Sequence, residues 1–172
     1  MHYALINLKL CLDEIGGLQV NSPGDRIGMQ KKAYLLQKAG GVNLGYRFEW
    51  YIRGPYSSGL TEDMSDLWLR EKWVADDALK CELKDEVIEK ISHIKPLLEM
   101  EPPKGLEGYE WLELLASVHA LKHWVYIPDV CKDNEREFIE TIKEQFPKFT
   151  YGQIHLAINT LKKWGLFPAN VS

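Results

Sequence analysis

Apolar residues recur every third or fourth position over most of the chain, which is the spacing of an amphipathic α-helix. The first such stripe consists of four aliphatic residues: Leu5, Leu8, Leu12 and Ile15. It predicts a helix over residues 3–15. Gly16 and Gly17 follow directly, and this pair of glycines is expected to end the helix.

A second helix is predicted to begin after Ser22. The Ser22 hydroxyl can cap the helix, Pro23 suits the first helical position, and Asp25 stands three residues after the cap, as in a capping box. Three apolar residues share one face of this helix: Met29, Ala33 and Leu36. The helix is expected to stop at Gly40 and Gly41.

The period then changes from that of a helix to that of a strand. Two sets of residues alternate over positions 48–53: Phe48, Trp50 and Ile52 against Glu49, Tyr51 and Arg53. The alternation predicts a β-strand, which a turn at Gly54-Pro55 would close. Ser57 or Ser58 can cap the helix that follows. The apolar segment 73–75 is predicted to be a second short strand that pairs with the first.

The remaining chain is predicted to be helical. An apolar stripe over residues 87–98 contains Pro96, which is expected to kink or break the helix. Residues 101–105, Glu-Pro-Pro-Lys-Gly, form a linker, and three further apolar stripes follow it. The whole pattern predicts a mainly α fold, a compact bundle of about six helices with a minimal two-stranded β element after the second helix.

The chain length predicts a single domain over residues 1–172. Within it we expect a helix-strand-helix part at residues 1–100, the linker at residues 101–105, and the C-terminal helices at residues 106–172. The three cysteines stand far apart and form no Cys-x-x-Cys motif, which favours reduced thiols: Cys11, Cys81 and Cys131. The N-terminus resembles no signal peptide, and no apolar stretch approaches the ~20 residues of a membrane span. We therefore expect a cytoplasmic protein.

Two short segments resemble a known pair of families. The families share a helix of the form L-Q-K-L-x-Y-L, followed by a strand of the form aromatic-x-x-Y-x-Y/H-G-P. This sequence has Met-Gln-Lys-Lys-Ala-Tyr-Leu at residues 29–35 and Tyr-Ile-Arg-Gly-Pro at residues 51–55. The chain thereby resembles the YwgA-like and SocA-antitoxin (Panacea domain) families. Lys32 stands where an apolar residue is usual, and Arg53 stands where Tyr, Phe or His often precedes Gly-Pro.

The resemblance covers about thirty residues of the N-terminal third, and it has functional implications. It implies a mostly helical, non-enzymatic module found in prophage and toxin–antitoxin loci. We therefore expect a protein-interaction module of prophage, toxin–antitoxin or phage-defence type, which contacts a toxin or another protein of a mobile element. Many members of these families have no assigned activity, so the resemblance implies little about mechanism.

The same segment is strongly basic. Between residues 26 and 53 there are six basic residues and one acidic residue, Glu49, so this segment carries +5. Because the whole chain carries −4, the remainder carries −9. One interpretation is a surface that contacts an acidic partner or nucleic acid. The other is a solvated helix face whose charges pair with the acidic remainder. The predicted partner-binding residues are Arg26, Gln30, Lys31, Lys32, Arg47, Arg53 and Tyr56.

The C-terminal helices suggest an alternative function. Residues 135–167 predict helix, short turn and helix, which resembles the second and third helices of a winged helix-turn-helix. A nucleic-acid-binding regulator would then use the exposed side chains of the later helix: Tyr151, Gln153, His155, Asn159, Lys162 and Lys163. The preceding helix carries four glutamates, which oppose phosphate contacts, so a packed helical hairpin without DNA is the competing interpretation.

Catalytic chemistry has little support in the sequence. His119 and His123 are one helical turn apart, and Cys131 could provide a third metal ligand. The glutamate that usually separates such histidines is absent, and a helix face leading into a packing patch is the favoured interpretation. There is no P-loop, no dinucleotide fingerprint and no Gly-x-Ser-x-Gly motif. We expect no enzyme activity, no metal and no cofactor.

Overall fold

The computed structural model describes residues 2–128, 130 and 132–167. This part of the chain is mainly helical and contains one two-stranded antiparallel sheet. In chain order the elements are α1 (Tyr3–Asp13), α2 (Pro23–Lys38), β1 (Glu49–Tyr51), β2 (Gly54–Tyr56), α3 (Ser58–Leu69), α4 (Glu71–Ala78), α5 (Asp85–Leu98), α6 (Gly108–His123), α7 (Glu135–Gln145) and α8 (Tyr151–Lys163). The mainly α fold is confirmed, but the described residues form eight helices where about six were expected.

The helix ends follow the sequence signals closely. Ser22 Oγ accepts a hydrogen bond from the Asp25 backbone N–H at 3.0 Å, and the Ser22 N–H donates to the Asp25 carboxylate at 3.2 Å. This is the predicted capping box of α2. Ser57, rather than Ser58, caps α3. Gly16 and Gly17 both adopt positive φ after α1, which places the chain outside helical geometry.

The second strand lies elsewhere than predicted. β2 directly follows the turn after β1, and Trp50 pairs with Pro55 in the antiparallel register. The prediction of a strand at residues 73–75 was wrong, because this segment belongs to α4. There Val74 and Ala78, four residues apart, are both buried, and α4 packs against α1. A short apolar run does not by itself distinguish a strand from a buried helix turn.

Pro96 does not break α5, which continues to Leu98. The proline lies in the last turn of this helix. Because proline has no N–H, only the backbone hydrogen bond to the Ser92 carbonyl is lost. The next available bond is intact, with the Glu99 N–H donating to the Lys95 carbonyl at 3.1 Å. The predicted linker, residues 101–105, lies between α5 and α6 and is not helical.

Helix α6 is the centre of the molecule. Every residue from 111 to 121 is buried, and helices α2 and α8 and strand β2 pack around it. A helix buried on all sides cannot show the amphipathic pattern of a surface helix. One continuous core draws apolar side chains from all eight described helices. No helix of the described residues is long and apolar enough to cross a membrane.

Candidate functional site

A cleft of about 660 Å³ opens between α2, the β1–β2 hairpin and α3. Its size is that of the sites in which proteins bind small ligands or short peptide segments. No acidic side chain is among the described residues that form its walls. The walls consist of Val20, Arg26, Ile27, Gln30, Lys31, Arg53, Tyr56, Thr61, Met64, Ser65, Trp68 and Leu69.

Lys31 forms a buried, cationic part of this wall. Only 2% of the residue is exposed, and its Nζ donates a hydrogen bond to the Pro55 carbonyl at 2.6 Å. Burial lowers the pKa of Lys31 to about 8, because a buried ammonium group loses its hydration. Glu113 raises this pKa by attraction, whereas Arg53 and Lys148 lower it by repulsion. The ammonium group thus has one hydrogen-bond acceptor among the described residues for its three donors.

Glu113 of α6 is the carboxylate beneath the hairpin, and it is 1% exposed. Its Oε2 lies 2.8 Å from Lys148 Nζ and 3.7 Å from Arg53 Nη1. Its Oε1 has no hydrogen-bond partner among the described residues. Three cations, including Lys31, therefore share one buried carboxylate, and this cluster carries a net charge of +2.

Gln30 fixes the chain that follows the hairpin. Its Oε1 accepts from the Ser57 N–H at 3.0 Å, while its Nε2 donates to the Ser57 carbonyl and to Thr61 Oγ1, both at 2.8 Å. The Thr61 hydroxyl in turn donates to Tyr56 Oη at 2.9 Å. These bonds hold one wall of the cleft, the start of α3, at a fixed distance from α2.

Gly54 allows the hairpin to approach α6 closely. Its φ is +90°, a conformation that L side chains rarely adopt. A Cβ at this position would lie 2.2 Å from Ser117 Oγ and 3.3 Å from Ser117 Cβ. Both the backbone conformation and the available space therefore require glycine here. The close approach brings Arg53 and Pro55 to the buried charge cluster of α2 and α6.

The opposite wall is apolar and lies on α3. Met64 is buried, whereas Trp68 and Leu69 are 59% and 70% exposed. Large exposed apolar side chains that line a cleft are typical of a surface that contacts another molecule. The site thus combines a cationic side with an apolar side.

Five of the seven predicted partner-binding residues line this cleft: Arg26, Gln30, Lys31, Arg53 and Tyr56. The structure separates the other two from it. Lys32 lies in a different groove, beside Tyr109, and Arg47 is exposed and pairs with Glu49 at 3.5 Å. Lys31 and Gln30 are buried and anchor the hairpin, so the exposed charges of the cleft are Arg26 and Arg53.

The sequence did not reveal the apolar wall or the distant charges. Trp68 and Leu69 fall at the end of a helical stripe, where their exposure has no sequence signal. Glu113 and Lys148 lie far along the chain, and only the packing of α6 against the hairpin brings them to Arg53.

The residues of the nucleic-acid alternative all lie on α8, and they divide into two groups. Tyr151 Oη donates to Glu140 at 2.9 Å, Lys162 pairs with Glu135 at 2.7 Å, and the Gln153 side chain completes the capping box of Thr150. These three side chains have partners within the chain. The other three are exposed: His155, Asn159 and Lys163.

His119 and His123 do lie together, with ring centroids 4.2 Å apart. His119 is buried, and its Nδ1 lies 2.8 Å from the hydroxyl of Tyr34. His123 Nε2 lies 2.6 Å from the Leu166 carbonyl. Among the described residues no group of three His, Cys, Asp or Glu side chains could hold a metal ion. Cys131, the third ligand considered, is outside the described residues.

Comparison with known proteins adds no family to this description. No protein-family model, curated protein or solved structure matches the chain significantly.

Proposed function

We propose that this chain is a non-catalytic protein-interaction module that contacts an acidic partner through the cleft between α2 and the β1–β2 hairpin. The observation that carries the proposal is the convergence of Arg26, Lys31 and Arg53 on one cleft whose described walls include no acidic side chain. A positive potential in a concave, partly apolar site attracts a partner's carboxylates and orients them.

The biological setting is a further part of the proposal, and its support is the resemblance to the YwgA-like and SocA-antitoxin families. We infer a prophage, toxin–antitoxin or phage-defence setting, in which the partner is a toxin or another mobile-element protein. Co-expression tests this setting directly. A neighbouring gene that stops growth when expressed alone should be neutralised when this chain is expressed with it.

The surface itself can be tested by charge reversal. Arg26→Glu/Arg53→Gln changes the two exposed cations of the cleft and leaves the buried Lys31 intact, and glutamine at position 53 avoids a second carboxylate beside the buried Glu113. Circular dichroism of the variant checks that it is folded. Arg47→Glu is the matched control, because Arg47 belongs to the same basic segment but lies outside the cleft. Tagged wild-type and variant proteins are used to capture partners from native host cells. Equal recovery of every partner by the cleft variant and the wild type would contradict the proposal.

An alternative proposal is a nucleic-acid-binding regulator that uses α8. Its support is the exposure of His155, Asn159 and Lys163, which are spaced four residues apart and share one helix face. The adjacent α7 opposes it, since Glu135 already pairs with Lys162. Binding of duplex DNA at low salt that weakens steeply as salt increases would favour this alternative. Absence of any electrophoretic mobility shift of duplex DNA at low salt would eliminate this alternative.

A further inference from the structure

The charge cluster under the hairpin is two negative charges short of neutrality, because Lys31, Arg53 and Lys148 share the single carboxylate of Glu113. Lys31 is the least compensated member, because the acceptor of its ammonium group among the described residues is the uncharged Pro55 carbonyl. A buried ammonium group without a charged partner is energetically unfavourable. A carboxylate that entered the cleft beside Lys31 and Arg53 would lower the net charge of the cluster from +2 to +1 and would give Lys31 a charged partner.

The apolar wall defines the rest of the occupant. Trp68 and Leu69 are largely exposed, and Met64 and Ile27 extend the apolar surface into the cleft. An occupant that placed only a carboxylate in the cleft would leave this wall in contact with water. Because burial of a large apolar side chain is favourable, the wall favours an occupant that has one.

The exposed apolar surface also continues beyond the cleft along the chain. Trp73, four residues after Leu69 and on the next helix, is 73% exposed. A free small acid would cover the cleft alone, whereas a polypeptide can extend from it. A nucleic acid would supply phosphates and could stack a base on Trp68, but it has no aliphatic side chain to pack against Met64 and Leu69.

We propose that the cleft binds a linear segment of the partner protein in which an Asp or Glu side chain is adjacent to a large apolar side chain. This inference rests on the proposed function, since it specifies what the interaction module recognises. The carboxylate lies between Lys31 and Arg53, and the apolar side chain lies against Met64, Trp68 and Leu69.

The test uses the full chain and a library of random 12-residue peptides. Peptides enriched by binding to the wild-type protein should share an acidic residue within two positions of Trp, Phe, Leu or Met. For an enriched peptide, fluorescence anisotropy should show at least a tenfold weaker Kd after acid-to-amide substitution in the peptide. Arg53→Gln and Trp68→Ala in the protein should each weaken binding at least tenfold, while Arg47→Gln should change Kd less than twofold.

A double-mutant cycle assigns the contact. Arg53→Gln combined with the amide peptide should weaken binding little more than either change alone, because each removes the same ion pair. Additive effects would overturn the placement of the carboxylate at Arg53. The inference would be overturned if the enriched peptides shared no acidic residue, or if no peptide were enriched. This holds even where capture of a folded host partner still depends on Arg26 and Arg53. Loss of that dependence would instead overturn the proposed function.

Discussion

The side-chain amide of Gln30 forms hydrogen bonds with both backbone groups of Ser57, as a neighbouring strand would in a sheet. Gln37, two helical turns further along α2, repeats the arrangement with the backbone of Tyr46 at 2.7 and 3.0 Å. The two glutamines share one face of α2 because seven residues correspond to nearly two turns. The irregular chain before the hairpin and the chain after it are therefore both attached to the same helix.

The Gln30 contact should be important for stability. Gln30→Ala leaves the buried Ser57 N–H without its partner and removes one hydrogen bond each from the Ser57 carbonyl and the Thr61 hydroxyl, and we expect a loss of about 3 kcal/mol in the free energy of unfolding. Urea denaturation monitored by circular dichroism measures this loss. Gln145→Ala, at an exposed glutamine, is the matched control and should change stability by less than about 0.5 kcal/mol. Similar values for both variants would contradict this role of Gln30.

Gly54→Ala should be destabilising for two separable reasons. The alanine would have to adopt φ near +90° and would also collide with Ser117 Oγ. Positive φ costs an L residue roughly 1–2 kcal/mol, and overpacking adds about 1–3 kcal/mol. Gly45→Ala isolates the first cost, because Gly45 also has positive φ but nothing lies within 4 Å of its Cβ position. Equal thermal stability of the two variants would show that the hairpin does not press against α6.

Lys31 should make stability depend on alkaline pH. Its pKa is about 8 in the folded protein and 10.5 in its ordinary state, so the unfolded chain binds more protons between these values. Stability should therefore rise by about 2 kcal/mol from pH 8 to pH 10. Lys31→Met removes this contribution. The difference in the free energy of unfolding between the wild type and this variant, measured at each pH, cancels the titration of the other groups. A difference that does not change with pH would show that Lys31 is solvated.

His119 should remain neutral in mildly acidic solution. Trp124 Nε1 donates to Tyr34 Oη, which leaves the Tyr34 hydroxyl proton free to donate to His119 Nδ1. We therefore expect the imidazole proton of His119 on Nε2. Burial, with repulsion from His123 and Lys38, lowers the pKa of His119 to about 3.

Long-range ¹H–¹⁵N NMR at pH 5 should show this Nε2–H tautomer. Because the unfolded chain takes up a proton that the folded protein excludes, stability should fall by about 2 kcal/mol from pH 7 to pH 5. Tyr34→Phe removes the donor to Nδ1 and should alter the His119 signals, whereas the exposed His155 provides a reference that does not change. A doubly protonated His119 at pH 5 would contradict the described contact.

The sequence predicted local features well and the site only in part. Ser22 and Asp25 are neighbours along the chain, so their capping box needs no tertiary information. Lys31 and Gln30 were predicted to bind a partner as members of the basic segment, but their burial and their bonds to the Pro55 carbonyl and the Ser57 backbone depend on tertiary packing, which had no sequence signal. The strand predicted at residues 73–75 failed for the same reason, since burial against α1 decides the conformation of a short apolar run.

The four charges of the cluster come from α2, the hairpin, α6 and the α7–α8 loop, and these parts lie more than 110 residues apart at the extremes. A fragment of residues 1–100 would lack Glu113 and Lys148 and could not assemble the cluster. Under the proposed function, partner binding is therefore coupled to folding of both halves of the chain. A partner that binds only the complete cleft would raise the melting temperature of the entire protein. Unfolding of the C-terminal helices would release such a partner before the chain is degraded.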